Sequence, residues 1–226
     1  MRALLFLLIF GLFGFGILLA LGTWQVRRMA VKEDIIARID ARMLSAPVDL
    51  PVAPDPSRDK YLAVTVTGTL LDGEVNVLTS YGNDGAGYRI IAPFQLSDGR
   101  RIMIDRGFVP ADQKPSIRTT GQMQITGNLH WPQETDGFTP DPDLSENIWF
   151  ARDVAKMAAT LNTTPVLVVA RTRTDPGIIP TPVDSSAVSN DHLNYAITWF
   201  SLAAIWAAMS VYFLWRSRAN AESKTT

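Results

Sequence analysis

From Tyr195 to Trp215 the chain carries no charged residue. At a rise of about 1.5 Å per residue, a helix of that length crosses the roughly 30 Å hydrocarbon core of a bilayer. Lipid offers no hydrogen-bond partners, so a lone spanning segment must satisfy its own backbone and can only be helical. Tyr195 and Trp215 stand where interfacial aromatic anchors belong, and Arg216 and Arg218 stop the run. Its beginning is polar: Asn190 and Asp191 are candidate helix caps, and His192 falls in the first turn. One of the chain's 2 histidines is thereby placed at a membrane–water boundary, at the start of a helix.

A second uncharged run, Ala3 to Gly22, lies near the other end. It reads either as a retained anchor or as a leader cut at the small-x-small site Ala20-Leu21-Gly22. The periodicity beyond it favours the anchor. Val31, Ile35, Ile39 and Met43 recur every four residues, and Asp34, Arg38 and Arg42 line another face, so a helix continues past Gly22. From the membrane to about Leu44 it would be roughly 60 Å long. Small residues at Gly16 and Ala20, facing Ala203/Ala207 or Ala204/Ala208, offer one way for the two spans to pack closely; chance enrichment of alanine offers another. Basic termini (Arg2, Arg216, Arg218) around a net acidic middle place both ends in the cytoplasm and the middle across the membrane, although Arg27, Arg28 and Lys32 argue the reverse.

Between the spans the pattern changes to period two. Tyr61–Leu70, Glu74–Ser80, Tyr88–Leu96, Arg100–Val109 and Gln122–Trp131 read as strands, with Ser97-Asp98-Gly99 a tight hairpin turn. Pro132 to Glu146 is a Pro- and Asp-rich loop, Phe150 to Leu161 an amphipathic helix, and Pro165 to Ala170 a last apolar strand. The expected fold class is an α+β membrane protein, with two transmembrane helices flanking an antiparallel β-sheet or small β-barrel domain that one helix covers. The segments are residues 1–23 (first span), 24–46 (helical extension), 47–60 (connector), 61–173 (β-rich domain), 174–190 (return linker), 191–215 (second span) and 216–226 (tail).

Several stretches together resemble the Surfeit locus protein 1 family of cytochrome c oxidase assembly factors. They are Leu21-Gly-Thr-Trp-Gln-Val-Arg-Arg28 with Lys32, Gly87-Tyr88 to Pro93, Asp98-Gly99, Asp105-Arg-Gly-Phe-Val-Pro110, Asn147-Ile-Trp-Phe150 with Asp153, and Asn190-Asp-His-Leu-Asn-Tyr-Ala-Ile-Thr-Trp-Phe200. The resemblance implies that the first span is kept and that the chain serves oxidase biogenesis. It also implies that haem a is carried transiently, with His192 as the axial ligand of the iron. The catalytic subunit of the oxidase and haem a synthase are the implied partners, besides the lipid bilayer. No Arg- and Ser-rich segment precedes the first span, which favours a bacterial inner membrane with a periplasmic middle domain.

Neutral imidazole is a common axial ligand for haem iron. Tyr195 and Trp199 follow His192 on one helix face, and Trp24 and Gln25 leave the first span at the same depth. All four are candidate cofactor-binding neighbours, with interfacial anchoring as the alternative for the aromatics. Arg106 reads as a structural ion-pair partner of Asp105 or Asp153, His130 as structural, Asn147 as a possible cap and Trp149 as a core or staple residue. With no cysteine there is no thiolate chemistry. No nucleophile elbow, P-loop or zinc-protease motif occurs, so no enzyme is expected. The net charge of −1 gives no footprint for nucleic acid. A membrane-anchored scaffold that holds the catalytic subunit or the synthase without touching haem is the alternative to a haem carrier.

Overall fold

The computed structural model describes residues 2–82, 85–114, 118–185 and 190–222. The ends of the expected return linker (186–189) and tail (223–226) lie outside them. The chain divides into two compact units, Met1–Arg38 with Ser186–Thr226, and Ile39–Ser185.

The first unit is a pair of helices, α1 (Arg2–Met43, whose first part belongs here) and α4 (His192–Glu222). Both are long and apolar enough to cross a membrane, with mean hydropathy reaching 2.6 and 1.7 in their most apolar stretches. The helices run antiparallel, with Gly11 against Ser210, Gly14 against Trp206 and Gly22 against Phe200. A Cβ on Gly14 would stand 2.5 Å from the Trp206 indole, whose Nε1 donates to the Gly11 carbonyl at 2.9 Å. Backbones that close need glycine at the crossing. The expected Gly16/Ala20 seam is therefore corrected: a Cβ on Gly16 would meet nothing within 4 Å, and Ala20 is exposed. On α4, Ala203 is buried while Ala204 and Ala208 are exposed. The phase of α1 points Gly11, Gly14 and Gly22 at α4, and Gly16 away from it.

The second unit is a β-barrel with additions. β2 (Ala63–Leu70), β4 (Ala86–Leu96), β5 (Arg101–Pro110), β6 (Gly121–Leu129) and β8 (Leu167–Ala170) pair in the cycle β2–β6–β8–β5–β4–β2. Closure removes the unpaired edges an open sheet would show. β3 (Val75–Ser80) pairs outside β4, and the two-residue strands β1 (Val48–Asp49) and β7 (Ile148–Trp149) pair with β2 and β3. The sheet is not wholly antiparallel, because β5–β8, β1–β2 and β3–β7 are parallel. The connector also contains one short helix, α2 (Pro56–Asp59), capped by Asp55.

Alternation sorts the core into two layers. Val64, Val66, Phe94, Ile102, Ile104, Ile125, Leu129 and Val168 fill the barrel. Val77, Ile91, Met103, Trp149 and Leu167 point outward and are covered by Val154, Met157 and Ala158 of α3 (Val154–Leu161). β8 feeds both layers, which is why its sequence is apolar at every position. α3 starts four residues later than the periodicity indicates. Asp153 is its cap, accepting from the Ala155 and Lys156 amides at 3.1 and 3.0 Å. Phe150 precedes the helix and is 41% exposed, and Asn147 is not a cap but a left-handed residue (φ 49°) whose amide donates to the Glu74 carbonyl.

Candidate cofactor-binding site

His192 is the first residue of α4, and Gln25 lies on α1 at the same level of the helix pair. Gln25 is polar, yet it is buried, 8% exposed, because it points at α4. The contact between them is a hydrogen bond, with His192 Nδ1 2.8 Å from Gln25 Oε1. An amide oxygen only accepts, so Nδ1 carries the proton and donates. In neutral imidazole that puts the lone pair on Nε2, which no hydrogen bond engages among the described residues. An imidazole fixed through one nitrogen, with the other free, is the arrangement metal-binding histidines use. It suits a single axial ligand. Among the described residues no group of three or more His, Asp or Glu could chelate a bare ion.

The other candidates do not converge on His192 in the same way. Trp24 is 53% exposed and Tyr195 56%, on faces turned away from the helix contact, and Trp199 is partly buried. Among the described residues, no hydrogen bond or ring contact joins any of the three to His192. Ala196, four residues after His192, is buried in the helix pair, so α4 presents His192 and Ala196 to α1 and Tyr195 to the exposed side.

Comparison with known proteins gives the geometry its context. The profile of the SURF1 family matches residues 12–204, which take in most of α1, the whole barrel and the first part of α4. The chain belongs to the SURF1 family. The SURF1-like protein of Monosiga brevicollis is 39% identical over 221 residues, spanning 88% of this chain and 84% of that protein. Surfeit locus protein 1 of Gallus gallus is 31% identical, spanning 86% of this chain and 69% of its own, and that of Homo sapiens is 29% identical, spanning 81% and 69%. SURF1 proteins are known as cytochrome c oxidase assembly factors, a family of assembly rather than catalysis.

The remaining SURF1-like motifs hold the domain together. Asp105, fully buried, accepts from Arg89 Nε at 2.8 Å and Arg152 Nη1 at 3.2 Å. Arg152 also grips Glu134. Burial alone would raise Glu134, but the Arg152 hydrogen bonds hold its carboxyl below the usual range. This network was missed in the sequence, where Arg152 carried no signal beyond its place beside Asp153.

Arg106 pairs with neither Asp105 nor Asp153. It reaches Thr174 Oγ1 at 3.1 Å and the Thr119 carbonyl at 2.9 Å, and it faces Asp175 at 3.6 Å. It thus pins residues 174–175, the start of the strap leading out of the barrel, as a structural residue. Gly107, at φ 118°, lets the strap approach: a Cβ there would stand 2.1 Å from the Ile179 carbonyl oxygen. His130 lies tilted beside Tyr61 (5.5 Å between centroids), and its buried Nδ1 has no partner among the described residues. Burial, helped by the nearby Arg152 and Lys60 charges, pushes its pKa down to about 4, so it stays neutral at pH 7.

Proposed function

We propose that this chain carries haem a for cytochrome c oxidase, with His192 Nε2 as axial ligand of the iron and the catalytic subunit as recipient. The observation behind this reading is the Gln25–His192 hydrogen bond, which fixes the tautomer that leaves Nε2 able to ligate. The chemistry supplied by the bound group would be that of the oxidase, not of this protein. Gln25 orients the ring, α4 holds it at the helix start, and the half-exposed Trp24, Tyr195 and Trp199 would border an apolar macrocycle entering from the bilayer side. Haem a synthase is the proposed donor. An inner membrane, with both termini cytoplasmic and the barrel domain periplasmic, is the setting supported by Arg2, Arg216 and Arg218 at the chain ends.

A scaffold that holds the catalytic subunit or the synthase without haem is the second reading, favoured by the exposure of Trp24 and Tyr195, neither of which packs into the helix contact. Purification from cells that make haem a, followed by visible spectroscopy of the wild type and His192→Ala, separates them. The carrier reading expects a haem spectrum in the wild type that is lost, or shifted to a weakly bound form, in the variant. An unchanged spectrum removes His192 from the site, and no haem in either supports the scaffold.

A further inference from the structure

The stretch from the end of β6 to the start of α3, which includes β7, displays apolar side chains to water instead of burying them. Phe138 is 95% exposed, Leu144 68% and Phe150 41%. The display is built rather than slack. Asp136 Oδ1 accepts from the Phe138 amide and from Thr139 Oγ1 at 2.9 and 3.0 Å, forming a turn with Phe138 at its tip. Asp143 Oδ1 holds the Ser145 and Glu146 amides at 3.0 and 3.1 Å. Arg152 on Glu134 and Lys156 on Asp141 fasten the loop to the domain. Beside Phe138 lies a cleft of about 250 Å³ whose walls include Thr139, Pro140, Pro142 and Trp149. Trp149 is 3% exposed, and its buried indole N–H has no acceptor among the described residues.

Charge narrows what can bind. Residues 132–147 contain Glu134, Asp136, Asp141, Asp143 and Glu146 and no lysine or arginine. Asp136 makes no ion pair among the described residues, Asp143 feels the charge of Lys114, which reaches the Glu146 carbonyl, and the two carboxylates flank the exposed Phe138 and Leu144, leaving the loop net acidic. An anionic lipid surface would be repelled, and a second copy of the same loop would meet like charge. A cationic polypeptide with an apolar side chain fits both features.

We propose that the 132–150 loop is a protein-docking surface, on which Phe138 and the Trp149 cleft engage an apolar residue flanked by lysines or arginines in a partner protein. The surface does not depend on haem being carried at His192. Phe138 acts as a preorganised aromatic anchor, since its turn is already ordered before binding.

Two measurements on the full chain in lipid nanodiscs test the surface. The first titrates a synthetic extended peptide of leucines flanked by lysines, alongside its counterpart with glutamates for lysines. The lysine peptide should bind with an affinity that falls about tenfold in Phe138→Ala and with salt, while the glutamate peptide should not bind. Because Phe138 is exposed, its replacement leaves the fold intact; an unaltered melting temperature checks this. The second places a photo-crosslinking phenylalanine analogue at position 138, with the exposed Val52 as control site. Crosslinks from 138, but not 52, to a lysine- or arginine-flanked apolar segment support docking. Equal binding of both peptides, binding indifferent to Phe138→Ala, or crosslinks solely to lipid, to a second copy or to nothing would overturn it.

Discussion

Gln25 holds one imidazole nitrogen of His192 and so decides what the other can do. Gln25→Leu keeps the helix pair apolar but leaves Nδ1 without an acceptor, freeing the ring to rotate and to change tautomer. Haem titration of that variant should show affinity reduced about 10- to 100-fold, the usual cost of losing a partner that orients a ligand. His130, the other histidine, belongs to stability rather than to a site. Its folded pKa of about 4 lies below the usual histidine value of 6.5, so between those values the unfolded chain takes up a proton that the native state refuses. Its contribution is therefore complete above about pH 6.5 and is lost as pH falls toward 4, by up to about 3 kcal/mol. Urea unfolding between pH 7 and 4.5 should show that slope, and His130→Gln should flatten it. At this scale the sequence was legible where a residue's position is set by its own helix, as with His192. It was not where partners come from distant strands, and nothing local marks Asp175 as the carboxylate that faces Arg106.

Strands and helices were easier to read than their partners. The barrel strands showed as alternating runs or, for β8, as a nearly continuous apolar one, but pairing depends on which apolar faces meet, so the parallel β5–β8 contact had no local signature. The helix pair shows the same divide. Small residues marked close packing, while the seam through Gly11, Gly14 and Gly22 rather than Gly16 and Ala20 follows from a rotation about α1 that spacing alone leaves undetermined. The strap over β5 is the element most sensitive to a single change. Gly107→Ala meets both a left-handed backbone and the Ile179 carbonyl, and should destabilise the domain by about 3 kcal/mol or more. Limited proteolysis should then cut first between residues 173 and 185, where wild type resists.

On the scale of the whole molecule, the barrel unit has what an independent domain needs: a closed sheet, a filled interior and a second layer under α3. A fragment of residues 39–185 should dissolve without detergent, melt cooperatively and, lacking both Gln25 and His192, take up no haem. Aggregation, or a broad non-cooperative melt, would show that the helices are needed for the fold.

The two ends of the Gln25–His192 hydrogen bond are 167 residues apart, with the whole barrel encoded between them. At about 5–20 residues per second, the ribosome finishes every strand before the histidine emerges. A chain stalled short of its last helix would therefore display a finished domain and an empty-handed glutamine. In the proposed carrier, the side chain that would hold the iron is therefore made only after every strand of the barrel.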